Sequence, residues 1–347
     1  MIKIFKKIIV FCFCMLCVLV FSQQNVDKKK IFSKVLNEER EIWISVPKSY
    51  HSSDISKAKY PVIYLLDAEI NFDYVEPMLK YLARNPYPDM PECILVGITN
   101  TDRTRDMTPS KSSTKSPVNP TEILFENSGG AENFAAFIQT ELKSFIQNNY
   151  RTENYSILLG HSFGGLFTIN TLVEHPDYFN AYIANDPSLW WDKQIVNEKM
   201  RKALKDGKFS KAKFLYLSEA DNKDNKSWNS DMIDGIQNFK TILSSQDKIN
   251  YKHQFYEDEM HGTVSYPGNY NGLRFIFKGY RTDIKKLSKN PQLLETEYKA
   301  FSEKMGYQFL PSEEYLNFII NFMDKNKFEE SKLYFEKFKL KIYQNSL

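Results

Sequence analysis

Cysteine is scarce in this 347-residue chain: there are four, and Cys12, Cys14 and Cys17 all fall within the first 22 residues. Beyond them only Cys93 remains, so no disulfide can form inside the rest of the chain, even in an oxidising compartment. Cys93 lies in an apolar run, where a thiol packs as a small hydrophobe. Long hydrophobic runs are missing too. The apolar stretch from Ile8 to Phe21 has 14 residues, short of the roughly 20 that span a bilayer. Lys3, Lys6 and Lys7 precede it and small Ser22 follows, the pattern of a secretory signal. The expectation is a chain that starts near Gln23 and works in a periplasm or outside the cell, with no stable membrane span after cleavage. An uncleaved signal acting as an anchor is the alternative.

An excess of charge is also lacking. The 46 basic residues against 43 acidic ones give +3, and removing the three signal lysines brings the balance to zero. Nothing in this composition selects nucleic acid as a partner. With 42% hydrophobic and 26% charged residues, the composition is that of an ordinary globular protein.

Along the chain, "KIFSKVL" and "REIWISV" alternate in the strand manner around a turn at Asn37 to Glu39, which predicts an antiparallel hairpin. Buried strands then alternate with amphipathic helices. Apolar runs at 61–67, 92–98, 155–160, 180–185 and 213–218 predict strands, and so does 250–257. Helical periodicity marks 130–150, 163–175, 229–244 and 268–279. Such alternation predicts an α/β fold with a mostly parallel sheet and helices on both faces. Residues 99–130, rich in Ser, Thr, Pro and Asn, form a long interruption of a kind that often carries function. After Asn290 and Pro291 only helices follow. Leu294, Tyr298, Phe301 and Met305 share one face, and residues 312–343 read as a tetratricopeptide-like pair with Ser331 at its small position. One such unit cannot bury its apolar face alone, so it must pack on the main domain or on a protein neighbour. The expected divisions are a signal at 1–22, a main domain at 23–290 and a helical tail at 291–347.

The chemistry starts at "GHSFGG". Gly160, Ser162 and Gly164 fit G-x-S-x-G, with a strand before and a helix after, as a nucleophile elbow requires. The glycines relieve crowding in a turn that forces the serine into a strained backbone and exposes its oxygen. A serine hydroxyl needs a base, and the base needs an acid to orient it. In this fold class the order is Ser, then Asp or Glu, then His, each on a loop at a strand's C-terminal end.

Of five histidines, His261 alone follows the last strand in a loop before a final helix. His161 is the variable residue of the elbow, His175 ends a helix, His51 precedes the core and His253 sits within a strand. The acid is expected after "KFLYLS", where Asp221 ends a Gly-x-x-Asp-like turn with Ser218 in the glycine place. Glu219 is the alternative and Asp224 a third choice. The oxyanion donors expected are the backbone N–H of Phe163 and that of Glu69, or alternatively Ala68, in the loop after 61–67.

Together "LLDAEINF", "VGITNTDRTRDMTPS", "GHSFGG", "NDPSLWWD" and "MHGTVSYPGNYNGLRFIF" resemble the putative-esterase family of α/β-hydrolases, which contains esterase D and the enterobactin (enterochelin) esterases. The resemblance spans about residues 30 to 280. It implies the α/β-hydrolase fold and hydrolysis of a small or medium carboxylic ester through an acyl-enzyme, with no metal or organic cofactor. It carries Ser162 over as nucleophile and His261 as base. The acid does not carry over, since some siderophore-cleaving relatives rely on a Ser-His pair. Arg103 and Arg105, in the loop where relatives carry arginine, either bind an anionic acyl or catecholate group or pair with Asp102 and Asp106. Trp190 and Trp191 either wall the substrate or pack beneath the long loop. A siderophore esterase is the sharpest form of this expectation. The competing readings are acyl transfer to a carbohydrate and a non-catalytic binding protein on the same fold.

Overall fold

The computed structural model describes residues 26–53, 58–115, 121–209, 213–222, 229–244 and 246–343. The expected signal and Asp224 lie outside the described residues. Strands β1 (Val26–Ser33) and β2 (Glu38–Ser45) form the antiparallel hairpin. Its turn occupies 34–37 rather than 37–39, because Asn37 accepts φ 54°, a conformation asparagine tolerates. Glu141 also draws the turn inward, accepting from the Lys34 N–H at 2.9 Å and from the Ser33 hydroxyl at 2.5 Å.

From there the chain builds an eight-stranded sheet. The further strands are β3 (Tyr60–Leu65), β4 (Ile94–Ile98), β7 (Thr152–His161), β8 (Ala181–Asn185), β9 (Lys213–Ala220) and β10 (Ile249–Tyr256). The strand order is β1-β2-β4-β3-β7-β8-β9-β10. All pairings from β4 to β10 are parallel, while β2 lies antiparallel to β4. A separate two-stranded ribbon, β5 (Thr114–Lys115) with β6 (Ile123–Leu124), stands within the long interruption. After β4 the chain crosses back over β3 to lay down β7, so the direction of winding reverses between β3 and β7. In open parallel sheets the crevice at the carboxyl ends beside such a reversal is where ligands bind.

Helices α1 (Ala68–Ala83) and α2 (Arg103–Met107) follow β3 and β4. Residues 131–149 form α3, whose two α-helical parts are joined by a π-helical turn at Ile138–Leu142. Then come α4 (Phe163–Glu174), α5 (Trp191–Lys205), α6 (Asn229–Leu243) and α7 (Ser265–Ile276). One face of the sheet is covered by α3 to α6, through Phe134, Phe137, Leu166, Phe167, Met200 and Phe239. The other is covered by α1 and α7, through Phe72, Val75, Leu79, Leu273 and Ile276. These strands are buried on both sides, which explains their continuous apolar runs.

After α7 comes the short α8 (Ile284–Leu287), and the tail forms α9 (Leu293–Met305), α10 (Glu313–Lys325) and α11 (Glu329–Tyr343). Leu294, Phe301, Ile319 and Phe335 join the same apolar cluster as α1 and α7. Ser331, the small residue of the pair, is buried and donates to the Ser288 carbonyl at 3.0 Å.

Candidate active site

Strand β7 stops at His161 and α4 starts at Phe163, so one residue makes the whole turn. That residue is Ser162, with φ 59° and ψ −117°. Such a backbone costs about 1–3 kcal/mol and persists only where its surroundings impose it. Here the Ser162 N–H donates to the Asn185 carbonyl at 3.0 Å, and its own carbonyl accepts from Leu166 at 2.9 Å and Ser188 at 3.1 Å. A methyl group added at Gly160 would fall 2.2 Å from the Gly164 carbonyl oxygen, so glycine is required where α4 crosses its own strand.

His261 lies on the loop between β10 and α7. Its Nε2 is 3.0 Å from Ser162 Oγ, and its Nδ1 is 2.6 Å from Asp186 Oδ2. Asp186 is fully buried, and its carboxylate also accepts from the Ala220 N–H and the Asn222 amide, each at 3.0 Å. These bonds aim the carboxylate at the imidazole. Beneath them Ser218, Asn185, Asn269 and Tyr74 form a hydrogen-bonded chain that ties α7 to β8, β9 and α1. Gly268 lets α7 approach closely enough for this, since a methyl group there would meet Asn185 Oδ1 at 2.0 Å.

The acid on His261 is therefore not Asp221. The Asp221 N–H donates to the Glu259 carbonyl at 2.8 Å, and its turn serves Asp186 through Ala220 and Asn222. Nor is it Glu219, which binds His253 at 2.6 Å and Gln237 at 3.0 Å. The reason is topological. β8 is the strand next to β7, and the residue just past β8 is nearer the elbow than one past β9. The signal was present in "NDPSLWWD", where an aspartate directly follows a strand.

Two helix starts carry the backbone donors expected for an oxyanion. Phe163 opens α4, and Ala68 and Glu69 open α1, so their N–H groups have no acceptor within their own helices. Asp67, just before α1, is buried in the left-handed conformation with φ 53° and ψ 48°. Arg103 Nε and Nη2 reach its two oxygens at 2.6 and 3.0 Å, and Asn100 adds a bond at 2.8 Å. Arg103 Nη2 also donates to the His161 carbonyl at 3.2 Å, which links the loop before α1 to the elbow.

The two arginines differ from each other, and only Arg105 keeps one of the expected partners. Arg103 pairs with Asp67 rather than Asp102, and its side chain keeps 32% exposure. Arg105 pairs with Asp106 but also grips Glu38 at 2.7 and 3.0 Å. The Arg105 guanidinium, with lesser help from Arg40 and Thr101, holds the Glu38 carboxyl down to about 2. Arg105 forms this ion pair while its side chain keeps 31% exposure.

The tryptophans divide as well. Trp191 is 1% exposed, donates to the Ser110 hydroxyl at 3.2 Å and packs on Phe125 and Phe163. It is a support and not a wall. Trp190 is half-buried, its ring 6.2 Å from that of Phe163, the residue after the nucleophile.

Residues 33–266 match the family described as "Putative esterase". The chain belongs to this family. Among characterised members, ferri-bacillibactin esterase BesA of Bacillus subtilis is 32% identical over 188 residues, covering 52% of this chain and 64% of that protein. The siderophore enterobactin esterase of Emericella nidulans is 27% identical over 164 residues, covering 44% and 54%. These matches span only about half to two thirds of the relatives' length. An IroE-like serine hydrolase from Shewanella oneidensis superposes with a TM-score of 0.80 at 32% identity, over 91% of this chain and 99% of that one. That coverage extends beyond residue 290, so part of the helical tail of this esterase-family chain has a counterpart there. BES protein from Bacillus cereus superposes with a TM-score of 0.63 at 27% identity, over 74% of this chain.

Proposed function

We propose that this chain is a serine carboxylic-ester hydrolase that works through a Ser162-His261-Asp186 triad and an acyl-enzyme. The observation that carries this is the unbroken hydrogen-bonded relay from Asp186 through His261 to a serine held in an elbow.

In this reading Ser162 Oγ attacks the ester carbonyl while His261 Nε2 takes its proton. The Asp186 carboxylate stabilises the imidazolium so formed and fixes the tautomer that leaves Nε2 free to accept. The negative tetrahedral oxygen is met by the N–H of Phe163 and by that of Ala68 or Glu69, and loss of one such donor typically costs about 3–4 kcal/mol of barrier. Collapse expels the alcohol as His261 returns its proton to the leaving oxygen. Water then attacks the acyl-serine with His261 again as base, releasing the acid and restoring Ser162. Arg103 keeps Nη1 for a substrate oxygen, since its other guanidinium nitrogens serve Asp67 and His161.

The substrate proposed is a siderophore ester, and the names of BesA and of the fungal enterobactin esterase support that choice. Trp190 and Phe125, packed against buried Phe163 next to the nucleophile, offer flat apolar surface for aromatic acyl groups. The N-terminal apolar segment supports export, and no described helix is long and apolar enough to cross a membrane. The test is hydrolysis of p-nitrophenyl butyrate, feruloylated sugars and a catecholate trilactone, with and without iron, by the wild type and by Ser162→Ala. Preferred turnover of the trilactone, abolished in the variant, supports the proposal. Equal rates in wild type and variant would end it.

A further inference from the structure

His161, the residue between Gly160 and the nucleophile, has no role in the relay just described. Its ring Nε2 lies 2.6 Å from the backbone carbonyl oxygen of His261, a hundred residues away in sequence. A carbonyl can only accept, so Nε2 carries the proton in this contact. The two imidazole rings also lie against each other, with centroids 4.6 Å apart and planes at 42°. The loop that carries His261 is otherwise held largely by its own bonds, among them Met260 N–H to Thr263 Oγ1 at 3.1 Å and Val264 N–H to the Met260 carbonyl at 3.1 Å. The contact from His161 acts on the very peptide that places the base.

Resting on the esterase reading, we propose that His161 is a positioning residue. It clamps the His261 peptide to the elbow through Nε2–H, and it stays neutral so that His261 alone takes up the serine proton. Two imidazolium rings this close would repel, and closely coupled groups of this kind do not both hold a proton near neutral pH. The charged groups around His161 are consistent with this division. His261 opposes its protonation, Asp186 and Asp67 favour it, and Arg103 donates to its own carbonyl. Burial is the largest influence, and with His261 it pushes the His161 imidazole down to about 4. The clamp therefore keeps one protonation state across the range where His261 must cycle.

The experiment compares His161→Phe, which keeps a ring but no donor, with His161→Gln, which keeps a donor but no ring. Ester turnover is read as kcat and KM, and the downfield Nδ1–H resonance of His261 is read by proton NMR. Displacing a catalytic group by an ångström costs on the order of 100-fold. The expected result for His161→Phe is a kcat lower by roughly 10- to 100-fold with KM little changed, and a downfield resonance lost or broadened. His161→Gln is expected to recover most of both. Full kcat in His161→Phe, a loss confined to KM, or equal behaviour of the two variants would overturn the proposal.

If His161→Phe fails to fold, the wild-type ring decides by itself. Its NMR titration must show a neutral imidazole down to about pH 5, and protonation near the ordinary histidine value of about 6.5 would overturn the proposal. Absence of ester turnover in the wild type would sink the esterase reading instead, and the resonance comparison would still judge the clamp.

Discussion

Two carboxylate–histidine pairs lie at the carboxyl side of this sheet, and both have a separation of 2.6 Å. In one, Glu219 of β9 meets Nε2 of His253 on the neighbouring β10. In the other, Asp186 meets Nδ1 of His261 on a loop. Both acids are buried. What separates them is the ring nitrogen engaged. Binding Nδ1 leaves the outer nitrogen of His261 pointing at Ser162, while binding Nε2 spends the outer nitrogen of His253 on the acid. Gln237 and Lys240 complete the Glu219 cluster, which ties α6 to the sheet. An acid–imidazole contact can serve as a general base only when the other nitrogen faces a nucleophile, and of these two pairs only Asp186–His261 is so placed.

The largest expected effect that separates the two pairs comes from Ser162→Ala, which should lower ester turnover by about a million-fold, as loss of a triad nucleophile does elsewhere. Steady-state assays on the purified chain check this. Glu219→Gln should do the reverse: turnover is retained, while urea unfolding shows a loss of roughly 1–3 kcal/mol because a buried hydrogen-bonded charge is removed. A collapse of kcat in Glu219→Gln would mean that the two pairs are not distinct.

The smallest effect concerns acid stability, away from both pairs. The Glu38 carboxyl sits at about 2 in the folded protein, chiefly because of Arg105. Its folded value is depressed, so its contribution is complete above the ordinary carboxylate value near 4.5 and is lost as pH falls through about 2. Glu38→Gln should therefore lower the melting temperature slightly at pH 7 and flatten its decline between pH 4.5 and 2. An unchanged decline would remove Glu38 from the account.

The places of Ser162 in a strand-to-helix turn and of His261 on the loop after the last strand were legible because local spacing marks them: glycines around a serine after a strand, and a histidine after the last strand. The helices of the tail were legible in the same way, from recurrences such as Leu294, Tyr298, Phe301 and Met305. The contact of Asp186 with His261 was not, because it depends on β8 lying beside β7, and sheet order is a non-local property. The Arg103–Asp67 pair joins residues 36 apart, one opening α2 and the other just before α1, so nothing in either segment announces the other. Trp190 and Trp191 sit where neither helical nor strand period applies, and sequence could not say which ring turns inward.

In the proposed triad Asp186, and no carboxylate after β9, orients His261. The decisive comparison is kcat for ester hydrolysis in Asp186→Asn beside Asp221→Asn. Asp186→Asn should lower it by about 10⁴-fold, the size seen when a triad acid is made neutral in a serine protease, and Asp221→Asn should leave it unaltered. Full activity in Asp186→Asn, or a loss carried by Asp221→Asn instead, would contradict this assignment.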